Sequence, residues 1–238
     1  MKTIRIFLLS VLATVFSFGL HAQDAKLPFT GTVQYRIAYE SEMASKEQLA
    51  QQPAIATLRM GLDKAVFSMA EQKALADATT QEVHSLINLS SMGLGKYHML
   101  ETEAELQQEI EEMQNVKVEP TEETKDIFGY TAKRIKGSYK EGNIAIEMDI
   151  WCVEGFCNPF LSNATQANLP GLPGFPLEYT VKTPDMSMTF TVNKLTNEEV
   201  NPKYFNIPSA YKASTKEQMQ KDIMEFMQSM QDMQGMGM

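Results

Sequence analysis

Apolar and polar residues alternate along much of this chain, a pattern typical of strands that bury one face. From Val33 to Tyr39, every second residue is apolar or aromatic, and these side chains share one side of the predicted strand. The residues between them are mainly polar. This period of two indicates a half-buried strand.

We predict about nine such strands, most of them in hairpins with short turns. The predicted strands cover Thr32–Tyr39, Ala56–Leu62, Ala65–Ala70, Glu82–Asn88, Lys96–Leu100, Gly129–Tyr139, Asn143–Val153, Leu177–Thr183 and Met186–Leu195.

Three capping boxes predict helices between and after these strands. They are Ser45-x-x-Gln48, Thr102-x-x-Glu105 and Ser214-x-x-Glu217. In each, two polar side chains stand three residues apart, where they satisfy backbone N–H groups at the start of a helix. Because strands and helices do not follow a βαβ rhythm, we predict an α+β fold. We expect an antiparallel sheet with two or three helices on one side.

Five short motifs follow one another in a fixed order. They are Phe29-Thr30-Gly31-x-Val33-x-Tyr35, Ile127-Phe128-Gly129-Tyr130-x-Ala132, Ile150-Trp151, Gly171-Leu172-Pro173-Gly174 before Leu177-Glu178, and Phe205-x-Ile207-Pro208-x-x-Tyr211. Together they resemble the exported Gram-negative domain that carries a Gly-Leu-Pro-Gly motif (GLPGLI-like). The chain departs from that family at Phe175-Pro176, where an aliphatic pair usually follows the motif.

The resemblance implies an exported, β-rich domain without an established activity. The chain is also distantly similar to lipoprotein carriers of the LolA-like kind, whose curved sheet holds acyl chains. This second similarity implies that the predicted antiparallel sheet is curved. A shared fold does not by itself fix a shared function.

Residues 1–22 have the features of a secretory signal peptide. Lys2 and Arg5 precede an uncharged apolar stretch over residues 6–20, and Ala22 is a small residue at the expected cleavage point. We therefore expect a periplasmic or secreted protein with one β-rich domain over residues 23–212 and a Met-rich helix and tail over residues 213–238. No second apolar run follows, so no transmembrane span is expected in the mature chain.

Composition narrows the range of partners. A hydrophobic content of 43% and a charged content of 21% are ordinary for a globular domain that buries a core. The net charge of −9 indicates an acidic surface that repels phosphate groups. We therefore do not expect the protein to bind nucleic acid.

The two cysteines, Cys152 and Cys157, stand at the end of a predicted strand and just beyond it. Glu154-Gly155 between them favours a turn that brings the two thiols together, and an oxidising compartment favours a disulfide. The alternative is a free or metal-bound pair. The spacing is not Cys-x-x-Cys, and no second thiol pair exists to complete a zinc site.

The C-terminal segment is rich in methionine. One interpretation is that Met224, Met227, Met230 and Met233 bind copper, because thioethers are soft ligands and these residues recur at i, i+3 spacing. The other interpretation is an amphipathic helix whose flexible side chains pack on the sheet or on an envelope protein.

The third candidate is the segment Leu169–Leu177, which contains Leu169, Leu172 and Phe175 among prolines and glycines. A functional interpretation makes it a lid that lies with Trp151 over an apolar cavity and holds a hydrophobic small molecule or lipid. The alternative is a rigid crossover whose apolar side chains seal the edge of the core.

Catalytic and cofactor motifs are not found in the sequence. It has no Gly-x-Ser-x-Gly elbow and no His-Glu-x-x-His motif, so we expect neither an enzyme nor a bound cofactor. His98 lies beside Met99 and near Met92, which permits a soft Met/His site, although His84 and His98 are also ordinary strand residues. Three hypotheses follow: a module that binds an apolar ligand, a copper-handling protein, and an envelope scaffold.

Overall fold

One sheet of twelve strands forms most of the protein. The structure, a computed structural model, describes residues 27–165 and 169–235. The strands are β1 (Gly31–Glu40), β2 (Ile55–Met60), β3 (Lys64–Met69), β4 (Gln72–Asp77), β5 (Glu82–Asn88), β6 (Lys96–Thr102), β7 (Gln114–Ile127), β8 (Tyr130–Glu141), β9 (Ile144–Val153), β10 (Phe175–Lys182), β11 (Ser187–Asn197) and β12 (Lys212–Ala213).

Four α-helices accompany the sheet in the described residues. They are α1 (Lys46–Ala50), α2 (Glu103–Glu112), α3 (Pro159–Thr165) and α4 (Lys216–Gly235), and short 3-10 turns cover Ser90–Met92 and Pro202–Phe205. The predicted capping boxes at Ser45 and Thr102 are confirmed at the starts of α1 and α2. The predicted cap of α4 is one residue off, because the Gln218 N–H donates to the Thr215 hydroxyl at 3.1 Å.

The strands form two meanders joined side by side. Their order in the sheet is β12-β6-β5-β4-β3-β2-β1-β11-β10-β9-β8-β7. Strands β1 to β6 form one antiparallel meander, strands β7 to β11 form the other, and β1 pairs with β11 along the join. Only the short pairing of β12 with β6 is parallel among the described strands. The predicted antiparallel sheet with few helices is confirmed, but the predicted count of nine strands is too low.

The three missed strands lack the alternation on which the prediction rested. Strand β4 is rich in alanine, lysine and glutamine, which favour helices, and it becomes a strand because β3 and β5 pair with it on both sides. Strand β7 is polar and mostly exposed at the edge of the sheet. Strand β12 has two residues.

The sheet curls, and the connection between β6 and β7 requires it. These strands are ten steps apart in the strand order, about 48 Å in a flat sheet at roughly 4.8 Å a step. Helix α2 joins them with ten residues, a length of about 15 Å. The two edges of the sheet must therefore approach each other. We call the concave, more deeply buried side of the sheet the core face.

One end of the core face is filled. This plugged end lies where Gly31 of β1 pairs with Asn197 of β11. Helix α3 follows β9 there and lies against β3, β4 and β10. Ala65 of β3 and Ala76 of β4 are fully buried in the same cluster as Leu161 of α3, and their small side chains leave room for the helix.

Stacked aromatic rings complete the plug. Phe156 stacks on Phe29 at 4.7 Å and on Phe175 at 5.0 Å between ring centroids, and Tyr130 meets Phe156 edge to face at 5.2 Å. The Phe29 N–H also donates to the Phe156 carbonyl at 2.7 Å. These contacts tie the segment before β1 to the turn after β9.

A segment between β11 and β12 crosses the outer face of the first meander. Its 3-10 turn lies against β3, and Tyr204 lies under the Arg59 guanidinium at 4.2 Å from the ring centroid. Three apolar side chains point outward from this meander and are nevertheless buried, namely Val66, Leu75 and Leu86. None of the helices in the described ranges is both long and apolar enough to cross a membrane.

Candidate functional site

The other end of the core face is open and apolar. It lies where Glu40 of β1 pairs with Ser187 of β11, and we call it the mouth. Six side chains near this end pack against the core and stay partly exposed: Tyr39, Phe67, Met69, Tyr139, Val181 and Met188. Alternation along the strands directs all six to the core face. The mouth therefore presents apolar surface that residues 27–165 and 169–235 cover only in part.

Aromatic side chains form the floor of the mouth. Tyr179 stacks on Phe190 at 4.6 Å between centroids, and Phe67 and Tyr35 lie 6.4 and 6.3 Å from Phe190. Strands β3 and β11 are three steps apart, about 14 Å in a flat sheet, so the curl brings the Phe67 and Phe190 rings together. Burial raises the pKa of Tyr179, which keeps its hydroxyl neutral in this apolar environment.

A small hollow opens beside this floor. It has a volume of about 130 Å³ and lies over β3, β4 and β5. Phe67, Met69, Ala74 and Ile87 supply its apolar lining, and Ser85 is among its polar residues. Ligand pockets typically measure about 300–1,000 Å³, so this hollow by itself has room for only part of such a ligand.

Three of the predicted ligand-binding residues pack against the core. Leu169 and Phe175 are fully buried, and Leu172 packs against the core. Leu169 lies so close to β8 that a Cβ at Gly137 would come within 2.4 Å of its Cδ2. This segment covers the core face from Phe175 at the plugged end to Leu169, which lies at the level of Gly137 and Met148, next to Val181 of the mouth.

The Trp151 side chain points to the outer face of β9, whereas its chain neighbours Ile150 and Cys152 point to the core face. The ammonium group of Lys125 stands 4.4 Å from the centre of its ring and is paired with Glu178 at 2.5 Å. The Glu178 carboxylate also accepts the Val192 N–H at 2.9 Å, beside a bulge in β11. Trp151 therefore does not line one cavity with Leu169, Leu172 and Phe175.

Arg134 approaches the same tryptophan from β8. Its guanidinium lies 5.9 Å from the ring centroid and donates two hydrogen bonds to Asp149, at 2.8 and 2.6 Å. These bonds lower the pKa of Asp149 below its usual value, against a smaller opposing effect of burial. Glu123 binds the same guanidinium. The cations that cover Trp151 are thus held by carboxylates, which is a stabilising arrangement.

Cys152 and Cys157 are free thiols in the structure. The turn predicted between them is present, and Gly155 adopts a left-handed φ of 69° there. Burial raises the pKa of both thiols to about 12, so as thiols they are protonated and poorly nucleophilic at neutral pH. Cys152 also lines a cleft of about 360 Å³ with Tyr130 and Pro173. The disulfide stays a prediction.

The Met-rich helix α4 packs against the β6 side of the domain. The Tyr97 hydroxyl donates to Asp222 at 3.0 Å, Lys216 pairs with Glu101 at 3.4 Å, and the Phe226 ring lies over Gly93. These contacts use the side of α4 on which Met219, Ile223 and Phe226 are partly buried.

The methionines predicted to bind copper lie mostly away from that contact. Met224, Met227 and Met230 are 64%, 56% and 41% exposed. Met233 belongs to the last turns of α4, whose side chains lie outside the described part of the chain. The three described side chains are therefore accessible to a metal ion or a partner, and the copper site stays a prediction.

The two described histidines meet each other. His84 Nδ1 and His98 Nε2 lie 3.0 Å apart on neighbouring strands. Burial, and then the proximity of His84, lower the pKa of His98. Met99 points to the opposite face and is buried, so His98 and Met99 do not form a shared site. Within residues 27–165 and 169–235, no group of three or more His, Cys, Asp and Glu side chains is arranged to hold a metal ion.

Comparison with known proteins shows a similarity of fold. No protein-family model and no curated protein match the chain. Among solved structures, the chain is similar to PNGF-II in its C2 crystal form, with a TM-score of 0.50 and 13% identity over 82% of this chain and 33% of that one. The P21 form gives a TM-score of 0.49 and 12% identity over 83% and 34%. This chain thus spans about a third of the length of PNGF-II, and at such identity the likeness concerns the fold alone.

Proposed function

We propose that the protein is an exported, non-enzymatic binding module that holds an apolar, chain-like ligand in the mouth of its curled sheet. One observation carries the proposal: six apolar or aromatic side chains at one end of the core face are left partly exposed, while the other end is plugged. Partly exposed apolar surface that lines a concavity is typical of ligand sites.

The small volume of the hollow favours a lipid-like chain over a compact ligand. The hollow has a volume of about 130 Å³, and the partly exposed Phe67 lines it above the buried rings of Tyr179 and Phe190. Met69 and Met188 add flexible side chains that adapt to a ligand without a fixed shape. Covering such surface contributes about 25 cal/mol for each Å² of apolar area removed from water.

The resemblance to the GLPGLI-like and LolA-like families is part of this proposal. A curved antiparallel sheet with helices on its core face is the arrangement that the resemblance implies. Helix α3 at the plugged end and α4 beside Tyr97 and Glu101 of β6 support it, since these β6 residues face the core side. The motif Gly171-Leu172-Pro173-Gly174 would then shape the plug, close to the buried Leu169 and Phe175.

Export rests on residues 1–22, which lie outside the described residues. We propose that this segment directs the chain to the periplasm or the medium, where a Cys152–Cys157 disulfide would tie the end of β9 to the plug. The non-enzymatic part is supported by the chemistry of the described nucleophile and base candidates. The two histidines pair with each other, and burial raises the pKa of both thiols.

Native mass spectrometry of the protein from its own host tests for a retained ligand. A complementary titration uses N-phenyl-1-naphthylamine, an uncharged apolar dye that fluoresces when it leaves water. Met69→Asp places a charge in the mouth and should weaken dye binding at least about tenfold, equivalent to roughly 1.4 kcal/mol.

Leu62→Asp is the matched control. Leu62 is 61% exposed in the β2–β3 turn at the plugged end, so its replacement should leave dye binding unchanged. If both variants bind the dye as the wild type does, or if the folded wild type binds neither dye nor host lipid, the mouth is not a ligand site.

Copper handling is a second candidate, favoured by the exposure of Met224, Met227 and Met230. Thioethers accessible on one helix are suited to Cu(I) in an oxidising compartment. Anaerobic Cu(I) titration of a variant with leucine at these three positions tests it, because leucine keeps the volume and removes the sulfur. Unchanged affinity would eliminate this candidate.

An envelope scaffold is the third candidate, and the same exposed methionines favour it. Flexible thioether side chains on one side of a helix are typical of surfaces that adapt to a partner. Capture of one envelope protein by the wild type, and its loss with aspartate in place of Met227, would support this function. Equal capture by both proteins would argue against α4 as the docking surface.

A further inference from the structure

The histidine pair is the most compact cluster of potential metal ligands outside the mouth. His84 is opposite Leu100 in the β5–β6 ladder, and His98 is opposite Leu86, so the two histidines are diagonal neighbours on the outer face. Their ring centroids are 5.2 Å apart, with Nδ1 of His84 3.0 Å from Nε2 of His98. Two ring nitrogens of different strands thus face each other across one N–H···N hydrogen bond.

The chain contains few histidines, so a contact between two of them is easily tested. The sequence contains three histidines, and one of them, His21, falls within the predicted signal peptide. The exported chain would therefore keep two imidazoles, and the fold brings them together. Any binding that depends on imidazole can be traced to this pair.

We propose that His84 Nδ1 and His98 Nε2 together bind one first-row transition-metal ion, with Cu²⁺ bound most tightly. Imidazole nitrogens suit Cu²⁺, Ni²⁺ and Zn²⁺, and affinity for such sites is highest for Cu²⁺. The remaining coordination positions are filled by water, since the pair supplies two ligands. This inference is independent of the ligand proposed for the mouth.

The two nitrogens are close enough to share one ion once the hydrogen bond between them is replaced. Metal–nitrogen bonds of about 2.0–2.1 Å at right angles place two ligand nitrogens roughly 2.9 Å apart. The observed separation is 3.0 Å. A tetrahedral ion would need about 3.4 Å. The single proton that can lie between the two nitrogens is displaced when the ion binds, and the rings turn so that both lone pairs face the ion.

The Glu82 carboxylate lies near the His84 ring nitrogen that would not bind the metal, where it can orient the ring. Its Oε2 lies 3.7 Å from His84 Nε2, the nitrogen that would not bind the metal. A carboxylate there favours a proton on Nε2 and leaves the Nδ1 lone pair available. The His84 side chain is 15% exposed, so the pair is in contact with solvent.

The strands around the pair limit its movement. Leu75 pairs with His84 and Leu86 pairs with His98, and both leucines are buried. On the other side, the Ser214 N–H donates to the His98 carbonyl at 2.9 Å, where β12 joins β6. The metal would therefore clamp β5 to β6 beside the start of α4.

Cu²⁺ titration of the exported chain, followed by calorimetry and electron paramagnetic resonance, tests the site. We expect one equivalent to bind with nitrogen ligands in the spectrum, and Zn²⁺ to bind more weakly. His84→Gln and His98→Gln should each remove this binding, and Glu82→Gln should weaken it about tenfold. Circular dichroism of the glutamine variants establishes that they are folded.

The variant with leucine at Met224, Met227 and Met230 is the matched control, because it separates this site from the methionines of α4. Its Cu²⁺ binding should equal that of the wild type. If the folded His84→Gln/His98→Gln double variant binds Cu²⁺ as the wild type does, or if the spectrum contains only oxygen ligands, the proposal is wrong.

Discussion

The two ends of the core face are built from the same strands and differ in how they are covered. At the plugged end, α3 and the segment before β10 fold inward, and Phe29, Phe156 and Phe175 stack beneath them. At the mouth, β3–β4 and β8–β9 are joined by turns of two residues that do not reach the concavity. The connections, more than the strands, therefore decide whether apolar side chains become core or accessible surface.

Deleting an aromatic ring should give the largest difference in stability loss between the plugged end and the mouth. Phe156→Ala removes a fully buried ring from two stacks and should lower the free energy of unfolding by about 3–5 kcal/mol. Met69→Ala at the mouth should cost half of that or less, because its side chain is already partly exposed. Urea unfolding followed by circular dichroism measures both, and equal losses would contradict the difference between the ends.

A methyl group added to the Gly-Leu-Pro-Gly motif should disturb the plug. A Cβ at Gly174 would lie 2.6 Å from the Val153 carbonyl oxygen and 2.9 Å from Glu154 Cα, and backbone atoms cannot move aside cheaply. Gly174→Ala should therefore destabilise the fold by about 2–3 kcal/mol. Gly95→Ala, near the mouth, has its nearest side-chain neighbour at 4.0 Å and should change stability by no more than about 0.5 kcal/mol in thermal unfolding.

Acid should weaken the plugged end through Asp77. Burial alone would raise the pKa of this carboxyl, but hydrogen bonds from Lys64 at 2.7 Å and the Thr79 N–H at 2.9 Å outweigh it and hold the pKa below 3.8. The stabilisation is therefore present above about pH 4 and is lost as the pH falls through the lower folded-state pKa.

Asp77→Asn should cost about 2 kcal/mol at neutral pH and less at low pH. Unfolding free energies measured from pH 2 to pH 7 test this, with Asp185→Asn in the exposed β10–β11 turn as the control. A constant cost across that range would contradict the assignment.

The smallest effect is expected at the rim of the mouth. The Tyr39 hydroxyl donates to the Pro53 carbonyl at 3.0 Å and so holds the segment between α1 and β2. Tyr39→Phe removes that one hydrogen bond and should cost about 1 kcal/mol. Faster amide hydrogen exchange should be confined to the residues around Pro53, and a change that extends to β9 would argue against a local role.

Local patterns were sufficient to predict the long antiparallel strands. The alternation from Val33 to Tyr39 and the hairpin around Gly142 are confirmed because each pattern reflects one strand and its immediate neighbour. Helix α3 was missed although Asn158-Pro159 is typical of a helix start, with the Phe160 N–H donating to the Asn158 side chain at 2.9 Å.

The candidate site depends on contacts that no local pattern contains. Phe67 and Phe190 meet because the sheet curls. His84 meets His98 because the pairing of β5 with β6 makes the two histidines diagonal neighbours. Trp151 was grouped with Leu169 from composition, but the alternation along β9 places it on the other face. The alternation of residues along β9 could have predicted that placement from the sequence.

The join between the meanders has a consequence for how quickly the chain folds. Glu40 pairs with Ser187 and Gly31 with Asn197, so the central ladder connects the first strand to the eleventh. Each meander needs only local contacts, whereas this ladder must close a loop of most of the domain. We expect the two meanders to form first and the join to be rate-limiting, because β1 gains its second neighbour only after β11 has formed.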